Sequence, residues 1–188
     1  MDESNDMLSF NVAQLLKEGI GATREHELSG ELFEVDARNP GPVKVTGHVR
    51  LIGTLKGVLA VGVAEVELVR ICKRCLQLTR DKVSLEIEEE FVPTIEVVTG
   101  RALPASEEDE EELLIDAHHV LDLTEVLRQY AVEVAVAPAL CSEECKGFCP
   151  VCGADLNEGP CNCDRSYVDP RMAVLGQLLE DSGQTDSD

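Results

Sequence analysis

The 188-residue chain carries 37 acidic against 16 basic residues, a formal net charge of −21, and that field argues against general, sequence-independent binding to nucleic acid. No run approaches the ~18 apolar residues that would span a bilayer. The acidic start Met1-Asp2-Glu3-Ser4-Asn5-Asp6 is unlike a secretory signal, so the expected location is the cytoplasm, where thiols stay reduced and grouped cysteines read as metal ligands.

With no Trp, two Tyr and four Phe, the core must be built from Val, Leu, Ile and Ala. Asn11 is placed to cap a short amphipathic helix, with Val12, Leu15 and Leu16 on one side and Gly19 ending it. Residues 26–37 are a further strand candidate. From 43 to 51, Val43, Val45, Gly47, Val49 and Leu51 alternate with polar residues, the pattern of a half-buried strand. Turn chemistry follows from Gly53 to Gly57, then a β-branched run over 58–71. After the pair Cys72-Lys-Arg-Cys75, residues Val83, Leu85, Ile87 and Phe91 alternate with Ser84, Glu86, Glu88 and Glu90, and Pro93 closes that strand. Cys72 and Cys75 therefore sit in a hairpin turn.

Residues 100–112 contain the run Glu107-Glu108-Asp109-Glu110-Glu111-Glu112, which reads as a solvated loop or as a site for a basic partner. A short strand is predicted near 113–117. Asp122 with Glu125 forms a capping pair for a helix whose stripe is Leu123, Val126, Leu127, Tyr130 and Val134, ended by Pro138. The segment 141–163 is rich in Cys, Gly and Pro and too poor in apolar residues to fold by burial. Asp169-Pro170 starts a last helix, and the chain from 181 is polar. The expected fold is α+β. An antiparallel sheet with packed helices covers 8–138, including the acidic loop 100–112. A cysteine-rich zinc module and C-terminal helix cover 139–180, and 181–188 form a disordered tail.

The eight cysteines fall into Cys72-x2-Cys75, Cys141-x3-Cys145-x3-Cys149-x2-Cys152 and Cys161-x-Cys163. A structural zinc ion takes four thiolates at about 2.3 Å in tetrahedral array, and a close pair supplies two ligands from one turn. Two four-cysteine sites leave no thiol over. The preferred sets are Cys149, Cys152, Cys161 and Cys163 on one ion, and Cys72, Cys75, Cys141 and Cys145 on the other; an exchange at Cys145, a vacant site and a site short of one ligand stay open. Such sites contribute on the order of 10–16 kcal/mol of apparent binding energy, comparable to the whole stability of a domain at roughly 5–15 kcal/mol, so their role is structural. Iron is the rival metal, because Cys149-Pro-Val-Cys-Gly153 also resembles the rubredoxin knuckle. A zinc-held thiol switch is the other alternative.

His26, His48, His118 and His119 stand away from ligand spacing, and the chain has no P-loop, dinucleotide fingerprint or nucleophile elbow. No small-molecule substrate is indicated, and the chain is not expected to be an enzyme. Arg70, Lys73, Arg74, Arg80 and Lys82 form a basic island around the first cysteine pair. It reads either as a contact to RNA or a partner, or as local compensation of thiolate charge.

In order along the chain, several segments resemble the YceD family, the large ribosomal RNA subunit accumulation proteins of bacteria and plastids. They are Ile71-Cys72-Lys73-Arg74-Cys75-Leu76, Glu90-Phe91, Ile115-Asp116 and Leu121-Asp122-Leu123. The most specific stretch is Cys145-Lys-Gly-Phe-Cys-Pro-Val-Cys-Gly-Ala-Asp-Leu-Asn157, followed by Cys161-Asn-Cys163 and Asp169-Pro170-Arg171. The resemblance implies support of 23S rRNA accumulation, in processing or assembly of the large ribosomal subunit. It implies as partners an assembly intermediate, a basic ribosomal protein or the 23S rRNA, and it carries over no catalytic residue.

Overall fold

The computed structural model describes residues 7–103 and 110–164. The expected helix from Asp169, the tail from 181 and residues 104–109 of the acidic loop lie outside the described residues. The chain divides into two compact units. One holds the residues up to Cys72 with Gln77–Cys141, and the other holds Lys73–Leu76 with the chain from Ser142.

The first unit is mostly β-sheet with few helices. Its order is β1 (Ser9–Asn11), α1 (Ala13–Glu18), β2 (Thr23–Leu32), β3 (Val43–Gly53), β4 (Val58–Ile71), β5 (Leu78–Pro93), a 3-10 turn (Glu111–Leu113), β6 (Leu114–Ile115), β7 (Val120–Asp122) and α2 (Thr124–Val136). Strands β2 to β5 form an antiparallel meander. Its register follows from the alternation: Val43, Val45, Val49 and Leu51 are buried on β3, opposite a buried row on β4 that includes Ala60, Ala64, Val66 and Leu68. A one-residue slip would turn each of these rows to solvent, so burial fixes the pairing. Leu85, Ile87 and Phe91 continue the inner face on β5, and Leu8, Leu15, Leu123 and Leu127 cover it.

Several boundaries differ from the expectations. The strand expected over 26–37 runs from Thr23 to Leu32, and a turn with its main-chain bonds closed by Asn39 takes up residues 35–39. The sheet is not wholly antiparallel, because β6 pairs with β5 in parallel at Val92↔Leu114 and Pro93↔Ile115. A separate two-stranded ribbon joins β1 to β7. Asn11 lies in β1, yet its Oδ1 still accepts the Ala13 N–H at 3.2 Å. The capping pair at α2 does not form: Asp122 Oδ1 accepts the Thr124 N–H at 2.8 Å, while Glu125 turns to the Arg128 guanidinium one turn on. The buried stripe of α2 is Val126, Leu127, Ala131 and Ala135, with Val134 only half-buried. Where the helix lies on β4 and β5, its contact line at the C-terminal end follows the two alanines.

Polar groups fix the exit of α2. Arg70, at the end of β4, is 9% exposed. Its Nη1 meets Asp81 Oδ2 at 2.9 Å, and its Nη2 donates to the carbonyls of Ala137 and Pro138 at 3.1 and 3.3 Å. Arg38 Nη2 donates to the Ala135 carbonyl at 3.3 Å. Two cations thus meet the negative end of the helix. Asn39 mimics a strand: its side chain donates to the Val69 carbonyl and accepts the Val69 N–H, at 3.0 and 2.8 Å.

Arg70→Ala would strip the half-buried Asp81 carboxylate and two carbonyls of their donor, a loss on the order of 1–3 kcal/mol; urea unfolding should read it as a lower midpoint at unchanged slope. Tyr130 offers a pH test. Burial, and then its hydrogen bond to Glu89, push the phenol up to about 12, against about 10 in the unfolded chain. The native state therefore holds the proton more tightly, so this contribution is complete below pH ~10 and is lost as pH rises through about 12. Urea midpoints measured across that window should fall with pH, and less steeply in Tyr130→Phe.

Candidate metal centre

The β4–β5 hairpin pairs Ile71 with Leu78, so Cys72 to Gln77 form its turn. The Cys72 N–H donates to the Gln77 carbonyl at 2.9 Å, and Leu76 takes a left-handed φ of 59° to close the loop. A parallel bridge aligns Cys72 with Ala139. Arg70, by holding the carbonyls of Ala137 and Pro138, delivers that strand-like segment, and with it Cys141, to the end of the hairpin. The sulfurs of Cys72, Cys75, Cys141 and Cys145 lie within 4.8 Å of one another.

The second unit is organised by turns. The Cys145 N–H donates to the Ser142 carbonyl at 3.1 Å, and Arg74 Nη1 donates to the carbonyls of Glu143 and Cys145 at 2.8 and 2.9 Å. Gly147 has φ 74°, and a Cβ there would stand 2.8 Å from the Arg74 carbonyl oxygen. That approach lets the Phe148 N–H reach the same oxygen at 3.2 Å. Only glycine meets both demands at no steric cost. Asn157 accepts the Lys146 N–H at 2.8 Å and donates to Cys145 Sγ at 3.5 Å.

The Cys149-Pro-Val-Cys-Gly153 turn builds the other group. The Gly153 N–H donates to the Cys149 carbonyl at 2.8 Å, with Gly153 at φ 74°, and the Cys149 N–H returns to the Ala154 carbonyl at 2.8 Å. The Val151 N–H points at Cys149 Sγ from 3.4 Å. The sulfurs of Cys149, Cys152, Cys161 and Cys163 again lie within 4.8 Å of one another. The two groups are distinct, take in all eight cysteines, and contain no disulfide.

Main-chain N–H groups of Cys152 and Val151 lower the Cys149 thiol to about 6. Cys163 is pushed up to about 12 by its hydrogen bond to Cys152, then by burial and by the sulfurs of Cys161 and Cys149. The first sulfur is thus ready to be a thiolate, and the last keeps its proton because negative charge is already held beside it. A divalent cation removes that conflict. Four sulfurs about 2.3 Å from one ion stand about 3.8 Å apart, and both groups fit that size. Their thiolate chemistry suits zinc or iron.

The basic island resolves differently. Arg70 is buried and committed to Asp81 and the α2 exit, which corrects its reading as an available contact. Arg74 spends Nη1 on main-chain carbonyls. Arg80 is exposed and pairs with Glu67 at 3.2 Å, while Lys73 and Lys82 are exposed. No His belongs to either sulfur group. The sequence reading missed Asn157 as a donor to Cys145; an Asn eleven positions after Lys146, whose N–H it accepts, carries no periodic signal.

No solved structure matches the chain. A stretch of 64 residues is 34% identical to the "Large ribosomal RNA subunit accumulation protein YCED homolog 1, chloroplastic" of Arabidopsis thaliana. It takes in 34% of this chain and 20% of that relative's length, so the match spans about a fifth of the curated protein. The family model described as "Large ribosomal RNA subunit accumulation protein YceD" matches residues 61–179, from the first part of β4 through the hairpin turn and both sulfur groups. A match over more than half of the chain, taking in all eight cysteines, shows that the chain belongs to the YceD family.

Proposed function

We propose that this chain is a non-enzymatic α+β factor that supports accumulation of 23S rRNA in the cytoplasm, through processing or assembly of the large ribosomal subunit. The observation that carries the reading is the family match over residues 61–179, whose description names large ribosomal RNA subunit accumulation. Its partners are an assembly intermediate of the large subunit, a basic ribosomal protein or the rRNA itself. Depletion of the protein, followed by sucrose-gradient profiles and rRNA quantification, should lower 23S relative to 16S rRNA and deplete the large-subunit peak. Equal rRNA ratios on depletion would refute it. Complementation with Lys73, Arg80 and Lys82 all changed to Glu separates the modes: failure supports direct rRNA contact through the exposed part of the island, and full rescue supports a protein partner.

The cysteines serve this role structurally, as ligands of two zinc ions. Cys72, Cys75, Cys141 and Cys145 hold one, and Cys149, Cys152, Cys161 and Cys163 the other. Closed sets of four leave no open position for a substrate. An ion at each group is worth as much as a small domain's folding energy, and the turns that carry the sulfurs contain little apolar surface. Purified protein should be colourless with close to two zinc ions per chain, and Cys149→Ser with Cys152→Ser should retain about one. Red, iron-loaded protein would favour the rubredoxin-like carrier. Peroxide-driven zinc release with a gain of activity would favour the thiol switch.

A further inference from the structure

The outer face of the β2–β5 meander carries an apolar strip along β4 between two acidic edge strands. Side chains on one face of a sheet alternate, so register fixes its rows. Across β2, β3, β4 and β5 one row reads Glu27, His48, Val63, Glu86, and the next reads Glu25, Arg50, Val61, Glu88. The following row ends in Ile52, Leu59 and Glu90. The apolar part of the floor is therefore Leu59, Val61 and Val63 along β4 with Ile52 on β3, while His48 and Arg50 on β3 separate Val63 and Val61 from the β2 rim; Val61 is 38% exposed. A cavity of about 640 Å³ lies over the β2–β4 side of this face, where Glu25, His48, Arg50, Ile52, Val61 and Val63 line it, and the β5 carboxylates stand beyond its edge.

The rims carry Glu86, Glu88 and Glu90 on one side and Glu25 and Glu27 on the other. Among the described residues only Glu25 of these is ion-paired, to Arg50, and Glu90 accepts a hydrogen bond from Thr54. Four carboxylates thus remain without a cation around an apolar strip. Three strand spacings separate the rims, about 14 Å, and an α-helix with its side chains is about 10–12 Å across. Such a helix, laid between β3 and β4 at the middle of the trough, would set an apolar stripe on Val61, Val63 and Ile52 and cations on both sides toward the rims. A second copy of this chain, at net charge −21, and RNA both bring the wrong sign.

We propose that this trough docks a basic amphipathic helix of a partner protein, with apolar residues on Val61 and Val63 and Lys or Arg against Glu86, Glu88 and Glu27. The inference deepens the protein-partner mode of the reading above and rests on it for the partner's setting. The binding test below is independent of rRNA levels, so either can fail alone.

The probe is a fluorescent 14-residue peptide of lysine and leucine, apolar along one helical stripe, titrated with the full zinc-loaded chain at about 0.1 M salt. Anisotropy should report saturable binding that falls at least about tenfold in Glu86→Lys/Glu88→Lys and several-fold in Val61→Gln, with zinc content and melting unchanged. Glu110→Lys/Glu111→Lys, equal in charge change, should bind as the native chain does. Four results would each overturn the proposal: binding indifferent to the trough variants; equal affinity for a lysine-only peptide; an oligoribonucleotide retained through this face; or a dimer, by sedimentation, that the same variants dissolve.

Discussion

Four thiolates cannot share a space 4.8 Å across without a cation among them. In water two unit charges 4 Å apart repel by about 1 kcal/mol, and in a partly buried setting by several times that. The protein prepares for this conflict without resolving it. Main-chain N–H groups stabilise one sulfur of the C-terminal group, Cys149, whereas the hydrogen bond to Cys152, then burial and the other two sulfurs, favour the protonated form of Cys163. Such an arrangement suits a cation that takes the place of the protons. Everything around the sulfurs has the task of holding them close against their own repulsion.

That task is met by main-chain geometry more than by packing. Cys72 belongs to a hairpin whose register runs through β4 and β5 into the core, so its position is set by buried Leu68, Leu85 and Ile87. Cys141 is placed by Arg70 and by the bridge at Ala139. Cys145 and Cys149 sit on turns that glycine makes possible at 147 and 153. Removing a metal would leave the hairpin, since its strands are held by burial, but would leave the turn-built segment with few apolar contacts of its own.

The long strands were legible in the sequence because alternation is repeated many times along them. Val43 to Leu51 and Val83 to Phe91 repeat one period often enough to name both strand and inward face. The turn at Cys72 followed from its place between two such runs, and the split of eight cysteines into two fours followed from their short spacings. The ribbon of β1 with β7 and the parallel strand β6 did not announce themselves. Each has two or three residues, too few for any period, and each exists because a distant strand offers unpaired main-chain groups. The apolar stripe of α2 was legible at Leu123, Val126 and Leu127, which are buried, and at Tyr130 and Val134, which pack on the core half-buried; the small Ala131 and Ala135, which complete the buried line, carried no signal.

The basic island shows how sequence proximity misleads within a sheet. Arg70 and Arg80 stand ten positions apart on paired strands, yet one faces the core and the other solvent. Alternation turned Arg70 inward with Leu68, and cross-strand pairing of Leu68 with Asp81 supplied its counter-ion. Arg80 and Lys82 took the outer face, the same one that carries Glu86, Glu88 and Glu90 farther along β5. A single strand is thereby cationic near its turn and anionic at its far end. A net charge of −21 says only that the average field repels phosphate; the strand decides where. A phosphate backbone and a basic polypeptide would meet opposite ends of one face, so the choice of partner is written in register and not in composition.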